Sequence, residues 1–278
     1  MTERFDDDEL ERYARQIVLQ ELGGVGQDRL RRSRIALVGM GGLGCPAALY
    51  LAGAGVGQLT LIDDDAVALG NLHRQILFAT ADVGQPKVAV AAAALHARTA
   101  RLAVRTHPGR LTAANAADWL ADHDLVVDGS DNFATRRLVA DTAAELRLPL
   151  LSGAVQGFEG QLTLFTPFAS ADAPCFHCLF PHAPPPDALP SCAVGGVLGP
   201  VAGQVGSMMA AEAVKHLVGI GPSISGTLLL IDGIVARVEH VRLRRRSACD
   251  SMAHRATGRA EGERFVGESA LATKSGPL

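Results

Sequence analysis

The stretch that decides the fold runs from Ile35 to Asp63 and reads IALVGMGGLGCPAALYLAGAGVGQLTLID. It contains an apolar strand, a glycine-rich turn, a helix-like run, a second apolar strand and an acid. Glycines in such a turn let the backbone approach a phosphate or ribose at a helix N-terminus, and the acid can accept a hydrogen bond from a ribose hydroxyl. A nucleotide is therefore the first ligand to consider. The expected contacts from this stretch are Gly39, Gly41, Gly42, Gly44 and Asp63.

Charged and amide side chains follow the turn at positions where the carboxyl ends of later strands are expected. They are Asn71, Arg74, Gln75, Lys87, Asp131 and Asn132. Hydride transfer to a nicotinamide requires little such charge, whereas phosphoryl chemistry needs cations on the phosphate oxygens and a carboxylate for a metal. The balance of side chains favours ATP over a dinucleotide.

Composition limits the class of protein. The chain has 278 residues, 48% of them apolar and only 4% aromatic, and small side chains suit helices packed tightly on a sheet. The net charge of −3 gives no basic field for nucleic acid. The most apolar run, residues 88–97, is too short to span a bilayer. We therefore expect a cytoplasmic protein without nucleic-acid or membrane partners, whose five cysteines are free thiols or metal ligands.

The order of elements predicts an α/β fold. Between residues 34 and 152, continuous apolar strands alternate with helical segments, a pattern typical of a Rossmann-like, doubly wound, mainly parallel sheet. From residue 160 the alternating pattern predicts antiparallel strands that extend the sheet. We expect one domain over residues 1–252, opening with a helical segment over 1–32 that breaks at Gly23-Gly24. Residues 253–278 are expected to form a disordered tail.

Several motifs stand in the order typical of one family. They are RYARQ at residues 12–16, the glycine turn, Asp63, Asn71 with Arg74 and Gln75, Lys87, Asp131 with Asn132, Cys175-x-x-Cys178, and Ser191-Cys192. With them, residues 9–252 resemble the ThiF/MoeB/HesA family, E1-like enzymes that adenylate ubiquitin-like sulfur carriers. The resemblance implies ATP-dependent activation of a carrier's C-terminal Gly-Gly carboxylate, for thiamine or molybdopterin synthesis.

The resemblance also implies roles for single residues. Asn71, Arg74 and Lys87 match the groups on the triphosphate, and Asp131 matches the Mg²⁺ carboxylate. Arg15 matches an arginine that reaches the neighbouring subunit's site in a homodimer. Cys192 matches a cysteine that in some members links covalently to the carrier; the alternative is a buried thiol.

The sequence leaves two alternatives for a zinc site. In the resembling enzymes, a second Cys-x-x-Cys completes a structural zinc site with the pair Cys175 and Cys178. Here the second motif reads Cys249-Asp250-Ser251-Met252, and a thioether is a poor zinc ligand. Either His254 supplies the fourth ligand, or the metal is lost.

Two other functions are also compatible with parts of the sequence. The glycine turn and Asp63 alone would permit an NAD-dependent dehydrogenase, which does not require Arg74 or Lys87. A non-catalytic E1-like scaffold would bind a carrier without releasing pyrophosphate.

Overall fold

The secondary structure follows the alternating pattern of the sequence. The computed structural model describes residues 5–183, 195–249 and 251. The strands are β1 (Arg34–Val38), β2 (Gln58–Ile62), β3 (Ala103–His107), β4 (Leu125–Asp128), β5 (Leu150–Gln156), β6 (Glu159–Phe165), β7 (Thr227–Asp232) and β8 (Arg237–Arg242). The helices are α1 (Asp7–Ile17), α2 (Gly23–Arg32), α3 (Gly44–Ala54), α4 (Lys87–Arg98), α5 (Ala116–Leu120), α6 (Phe133–Glu145), α7 (Phe176–Leu179) and α8 (Gly199–Val218). Short 3-10 turns lie at Leu69–Asn71 and Thr80–Asp82.

The strands form one sheet of mixed direction. Its order within the described residues is β3-β2-β1-β4-β5-β6-β7-β8. The pairs from β3 to β5 are parallel, and those from β5 to β8 are antiparallel. This confirms the predicted fold class. The chain leaves β1 towards β2 on one side and returns to β4 on the other, so the C-terminal end of β1 is the switch point where ligands bind in such sheets.

Both faces of the parallel part are buried. Ile35 and Leu37 face one apolar cluster while Ala36 and Val38 face the other, and all four side chains are buried. Small residues allow close packing on the first face: a Cβ at Gly206 of α8 would lie 2.5 Å from the Leu43 carbonyl oxygen. The low aromatic content therefore reflects helices packed close to the sheet.

The N-terminal segment differs from the prediction. Helix α1 ends at Ile17, and the glycine pair opens α2 instead of breaking a helix. Gly23 has φ +59°, a left-handed conformation that glycine adopts without strain. Asp6 and Glu9 form a capping box that fixes the start of α1.

Two further observations bear on the predictions. Within the ranges that the structure describes, no helix has both the length and the apolar character needed to cross a membrane. Cys192, Met252, His254 and the predicted tail over 253–278 lie outside the described residues.

Candidate nucleotide-binding site

The glycine turn lies at the switch point and packs against the segment after β4. Gly39 has φ +89°, and a Cβ there would lie 3.0 Å from the backbone of Gly129 and Ser130. Gly44 begins α3, and a Cβ at this position would collide with the Gly39 carbonyl oxygen. Only glycine at these two positions lets α3 start this close to the strand. Helix α3 has no side-chain N-cap; its Cys45 N–H donates to the Gly41 carbonyl oxygen at 3.0 Å, and Pro46 has no N–H, so the helix end attracts an anion mainly through its dipole.

A cavity of about 1220 Å³ opens beside this turn. Its volume exceeds the roughly 300 to 1,000 Å³ of most small-ligand pockets, which leaves room for a nucleotide and part of a second reactant. Ten predicted nucleotide contacts line it: Gly39, Gly41, Gly42, Asp63, Asn71, Arg74, Gln75, Lys87, Asp131 and Asn132. Gly44 is not among the lining residues, and its place in the structure is the contact between α3 and the turn.

A buried lysine lies between two carboxylates in this cavity. Lys87 is 3% exposed, and its Nζ donates to Asp65 Oδ2 at 2.6 Å and lies 3.9 Å from Asp63 Oδ1. Asp63 accepts hydrogen bonds from the backbone N–H of Met40 at 2.6 Å and of Asp65 at 2.8 Å. Burial raises the pKa of Asp63, and the Lys87 ammonium and both amides oppose that rise. The ammonium is thus held in place before any ligand binds.

Arg74 and Gln75 reach the same cavity from the turn after residue 71. The Arg74 stem lies beside Gly42, and its Nη1 contacts the Gly70 carbonyl oxygen at 3.3 Å. Gln75 is 3% exposed, and its Oε1 is a buried acceptor that has no hydrogen bond within the described part of the chain. A buried acceptor costs free energy until it is paired, so a hydroxyl or amino group of a ligand would stabilise it. This orphaned acceptor fits a bound nucleotide.

Asp131 and Asn132 take different positions at the start of α6. Asn132 is the N-cap, and its Oδ1 accepts from the Thr135 backbone N–H at 2.9 Å. Asp131 is exposed and lines the cavity, so its carboxylate is open to a metal ion.

A buried ion pair lies under this segment, and the sequence analysis did not single it out. Asp128 is fully buried and accepts from the N–H and the hydroxyl of Ser130, at 3.0 and 2.7 Å. Arg136 lines the cavity; its Nε lies 3.7 Å from Asp128 Oδ2 and makes no hydrogen bond within the described ranges, whereas its Nη2 donates to Ser152 Oγ at 3.2 Å. Desolvation raises the pKa of Asp128 and lowers that of Arg136. The sequence signal for this pair was the position of Arg136 in the first turn of α6, because the helix dipole disfavours a cation there.

Arg15 lies apart from this cavity. It is exposed in the last turn of α1 and is not among the residues that line the cavity of its own chain. Its role in a neighbouring subunit stays a prediction.

Three thiols gather at a second place, near α7. The Sγ atom of Cys175 is 3.7 Å from both Cys178 Sγ and Cys249 Sγ. Zinc–sulfur bonds of about 2.3 Å in a tetrahedron require sulfur–sulfur edges of about 3.8 Å, so the cluster fits zinc. Burial raises the pKa of Cys175 to about 12, so a metal has to displace a proton there.

A glycine turn at the switch point, with cations and carboxylates around one cavity, defines a Rossmann-like nucleotide-binding protein of the α/β class. Residues 13–251 match the ThiF family, and the chain belongs to that family, as the sequence motifs predict. The chain is similar to a sulfur carrier protein adenylyltransferase of Thermus thermophilus, at 47% identity over 248 residues, 88% of this chain and 92% of the relative.

A second relative is longer. The adenylyltransferase and sulfurtransferase MOCS3 of Aedes aegypti is 43% identical over 245 residues, which cover 88% of this chain but 55% of the relative. The chain therefore spans about half the length of that protein. Among solved structures, E. coli MccB is similar with a TM-score of 0.76 at 20% identity, over 97% of this chain and 77% of that chain, which shows a shared fold. Family and relatives favour the adenylyltransferase class over the dehydrogenase and the non-catalytic scaffold.

Proposed function

We propose that this protein is an ATP-dependent adenylyltransferase that activates the C-terminal Gly-Gly carboxylate of a ubiquitin-like sulfur carrier protein. One observation carries the proposal: a buried, pre-positioned lysine, an arginine and an open carboxylate line the cavity beside the glycine turn. Hydride transfer by a dehydrogenase does not require Lys87 and Arg74 at these positions.

The nucleotide is held by backbone and side-chain groups of this chain. The positive end of the α3 dipole and the open face of Gly41 receive phosphate oxygens. Asp63 uses two of its lone pairs for backbone amides and retains others for a ribose hydroxyl. Gln75 Oε1 offers a further acceptor to the nucleoside.

The chemical step needs no general base. The carrier's terminal carboxyl group has an ordinary pKa near 3.5, so it is already ionised at pH 7. One of its oxygens attacks the α-phosphorus, the bond from the α-phosphorus to the bridging oxygen breaks, and pyrophosphate leaves with both electrons of that bond. Arg74 and Lys87 stabilise the charge that develops on the phosphate oxygens. A Mg²⁺ ion held by Asp131 would further neutralise the departing pyrophosphate.

The carrier tail has a path to this centre. The cavity continues from the glycine turn to the antiparallel strands, where Ala154, Gly160 and Leu230 line it. An extended Gly-Gly segment has no side chains beyond hydrogen, so it fits a channel beside strand backbone. Alignment of the two reactants in this channel supplies much of the rate enhancement.

Several finer assignments belong to the same proposal. We infer a cytoplasmic homodimer in which Arg15 acts in the neighbouring site, a carrier of the thiamine or molybdopterin pathway, and a covalent link to the carrier through Cys192. The dimer assignment is supported by the exposed position of Arg15 away from its own cavity.

Carrier-dependent exchange of radiolabelled pyrophosphate into ATP tests the function. We expect exchange with Mg-ATP and a Gly-Gly carrier, and background exchange with the same carrier lacking its last glycine. Carrier binding without exchange indicates the scaffold, and saturable NADH binding without exchange indicates the dehydrogenase; either result overturns the proposal.

A further inference from the structure

The hydroxyl group of Ser251 lies beside the cluster of three thiols. Ser251 Oγ lies 3.3 Å from Cys175 Sγ and 3.6 Å from Cys249 Sγ. With zinc–sulfur bonds of about 2.3 Å and zinc–oxygen bonds of about 2.0 to 2.2 Å, a tetrahedral site has sulfur–oxygen edges of about 3.6 Å. The oxygen therefore stands at the distance expected of a fourth ligand.

We propose that Cys175, Cys178 and Cys249 hold a zinc ion whose fourth ligand is the hydroxyl oxygen of Ser251. Three sulfur atoms and one oxygen meet here although Cys175 and Ser251 are 76 positions apart in the chain. Met252, which stands where a fourth thiolate would complete the Cys-x-x-Cys pattern, is a soft thioether that zinc binds poorly. Ser251 precedes it by one residue and supplies an oxygen, which zinc accepts.

The charge of this site differs from that of a four-thiolate site. On binding, the three thiols release three protons to solvent and form three zinc–sulfur bonds, while the serine hydroxyl keeps its proton. The bound site carries one net negative charge, against two for four thiolates. A neutral hydroxyl donates less electron density than a thiolate, so the metal is held less tightly and exchanges faster.

The site ties two distant segments together. Cys178 lies in α7, and its sulfur also accepts from the Arg246 backbone N–H at 3.4 Å. Zinc would thus hold Cys249 and Ser251 against α7, and the metal would add to the free energy of unfolding. Metal content and ligand-field spectra report on this site independently of adenylation.

The test uses the full chain, produced once with zinc and once in cobalt-supplemented medium. We expect one metal per chain and a cobalt spectrum of a tetrahedral site with three thiolates. Ser251→Ala should shift the d–d bands and speed metal loss to a chelator by about tenfold or more, the low end of what displaced site groups cost. His254→Ala should change neither.

Met252→Cys supplies the matched gain of ligand. It should raise the thiolate charge-transfer intensity and slow metal loss, because a fourth thiolate displaces the hydroxyl. This variant keeps the proposal testable if Ser251→Ala folds poorly. The proposal is overturned if His254→Ala alters the spectrum while Ser251→Ala does not, or if purified protein holds far less than one zinc per chain.

Discussion

Replacing Lys87 with alanine removes the most strongly positioned cation of the candidate site. Lys87 is 3% exposed and its Nζ is fixed at 2.6 Å from Asp65 Oδ2, so no solvent reorganisation is needed when phosphate charge develops. Loss of one such pre-organised group costs about 10² to 10³ in rate, which equals roughly 2.7 to 4 kcal/mol of transition-state stabilisation. We expect that loss in the rate of carrier-dependent pyrophosphate exchange.

The same substitution has a smaller effect on the fold. Asp63 loses its nearest cation but keeps two backbone hydrogen bonds, so we expect the free energy of unfolding to fall by about 1 to 3 kcal/mol. The pKa of Asp63 should rise further, because Lys87 opposes the effect of burial. A weaker ribose contact, measured as a raised KM for ATP, is expected beside the lower kcat.

Lys215→Ala is the matched control for the loss of a lysine. Its Nζ pairs with Glu212 at 2.7 Å one turn away on α8, where both side chains are partly exposed, and Lys215 does not line the cavity. A pair of this kind contributes about 0.3 to 0.5 kcal/mol, so exchange and thermal midpoint should stay near wild type. If Lys87→Ala remains folded in circular dichroism and exchanges pyrophosphate within about threefold of wild type, the catalytic reasoning is refuted, since the expected loss is at least about 10²-fold.

Three further predictions concern packing, a buried charge and pH. Gly44→Ala should lower the thermal midpoint and weaken ATP binding measured by calorimetry, because the new Cβ collides with the glycine turn. The control Gly53→Ala in the same helix meets open space and should stabilise the protein by about 0.5 to 1 kcal/mol. Equal thermal midpoints for the two variants would contradict the packing argument. Asp128→Asn leaves the Arg136 charge without its buried partner, so the free energy of unfolding from urea titration should fall by about 3 to 5 kcal/mol. A fall of less than about 1 kcal/mol would show that the ion pair does not stabilise the fold. Burial lowers the pKa of His123, so the stability that comes from its neutral form is complete above the unfolded pKa of about 6.5 and is lost as the pH falls below that value. His123→Gln should therefore flatten the decline in thermal midpoint between about pH 6.5 and 5.5. Parallel curves for the variant and the wild type would exclude this histidine as the cause.

Local patterns predicted most of the architecture. Continuous apolar runs such as Ile35 to Val38 predict strands buried on both faces, and the structure confirms the mainly parallel sheet with antiparallel strands at one end. The glycine pair at 23–24 begins α2 and does not break a helix; glycine occurs at either end of a helix, and α2 has no side-chain N-cap that would have marked its start in the sequence. The single domain over 1–252 stays a prediction.

The sequence by itself determined the glycine turn and which cationic side chains are available near it, and it predicted the class of ligand, because these follow from residue types at short spacings. It also determined that position 252 cannot be a thiolate.

Only the tertiary structure decided which side chains meet. The pairing of Lys87 with Asp65, of Arg136 with Asp128, and of Ser251 with Cys175 depends on crossovers that bring distant segments to one end of the sheet or one side of α7. The physical reason is that such contacts form through burial of the intervening helices and strands, whose packing no local pattern encodes.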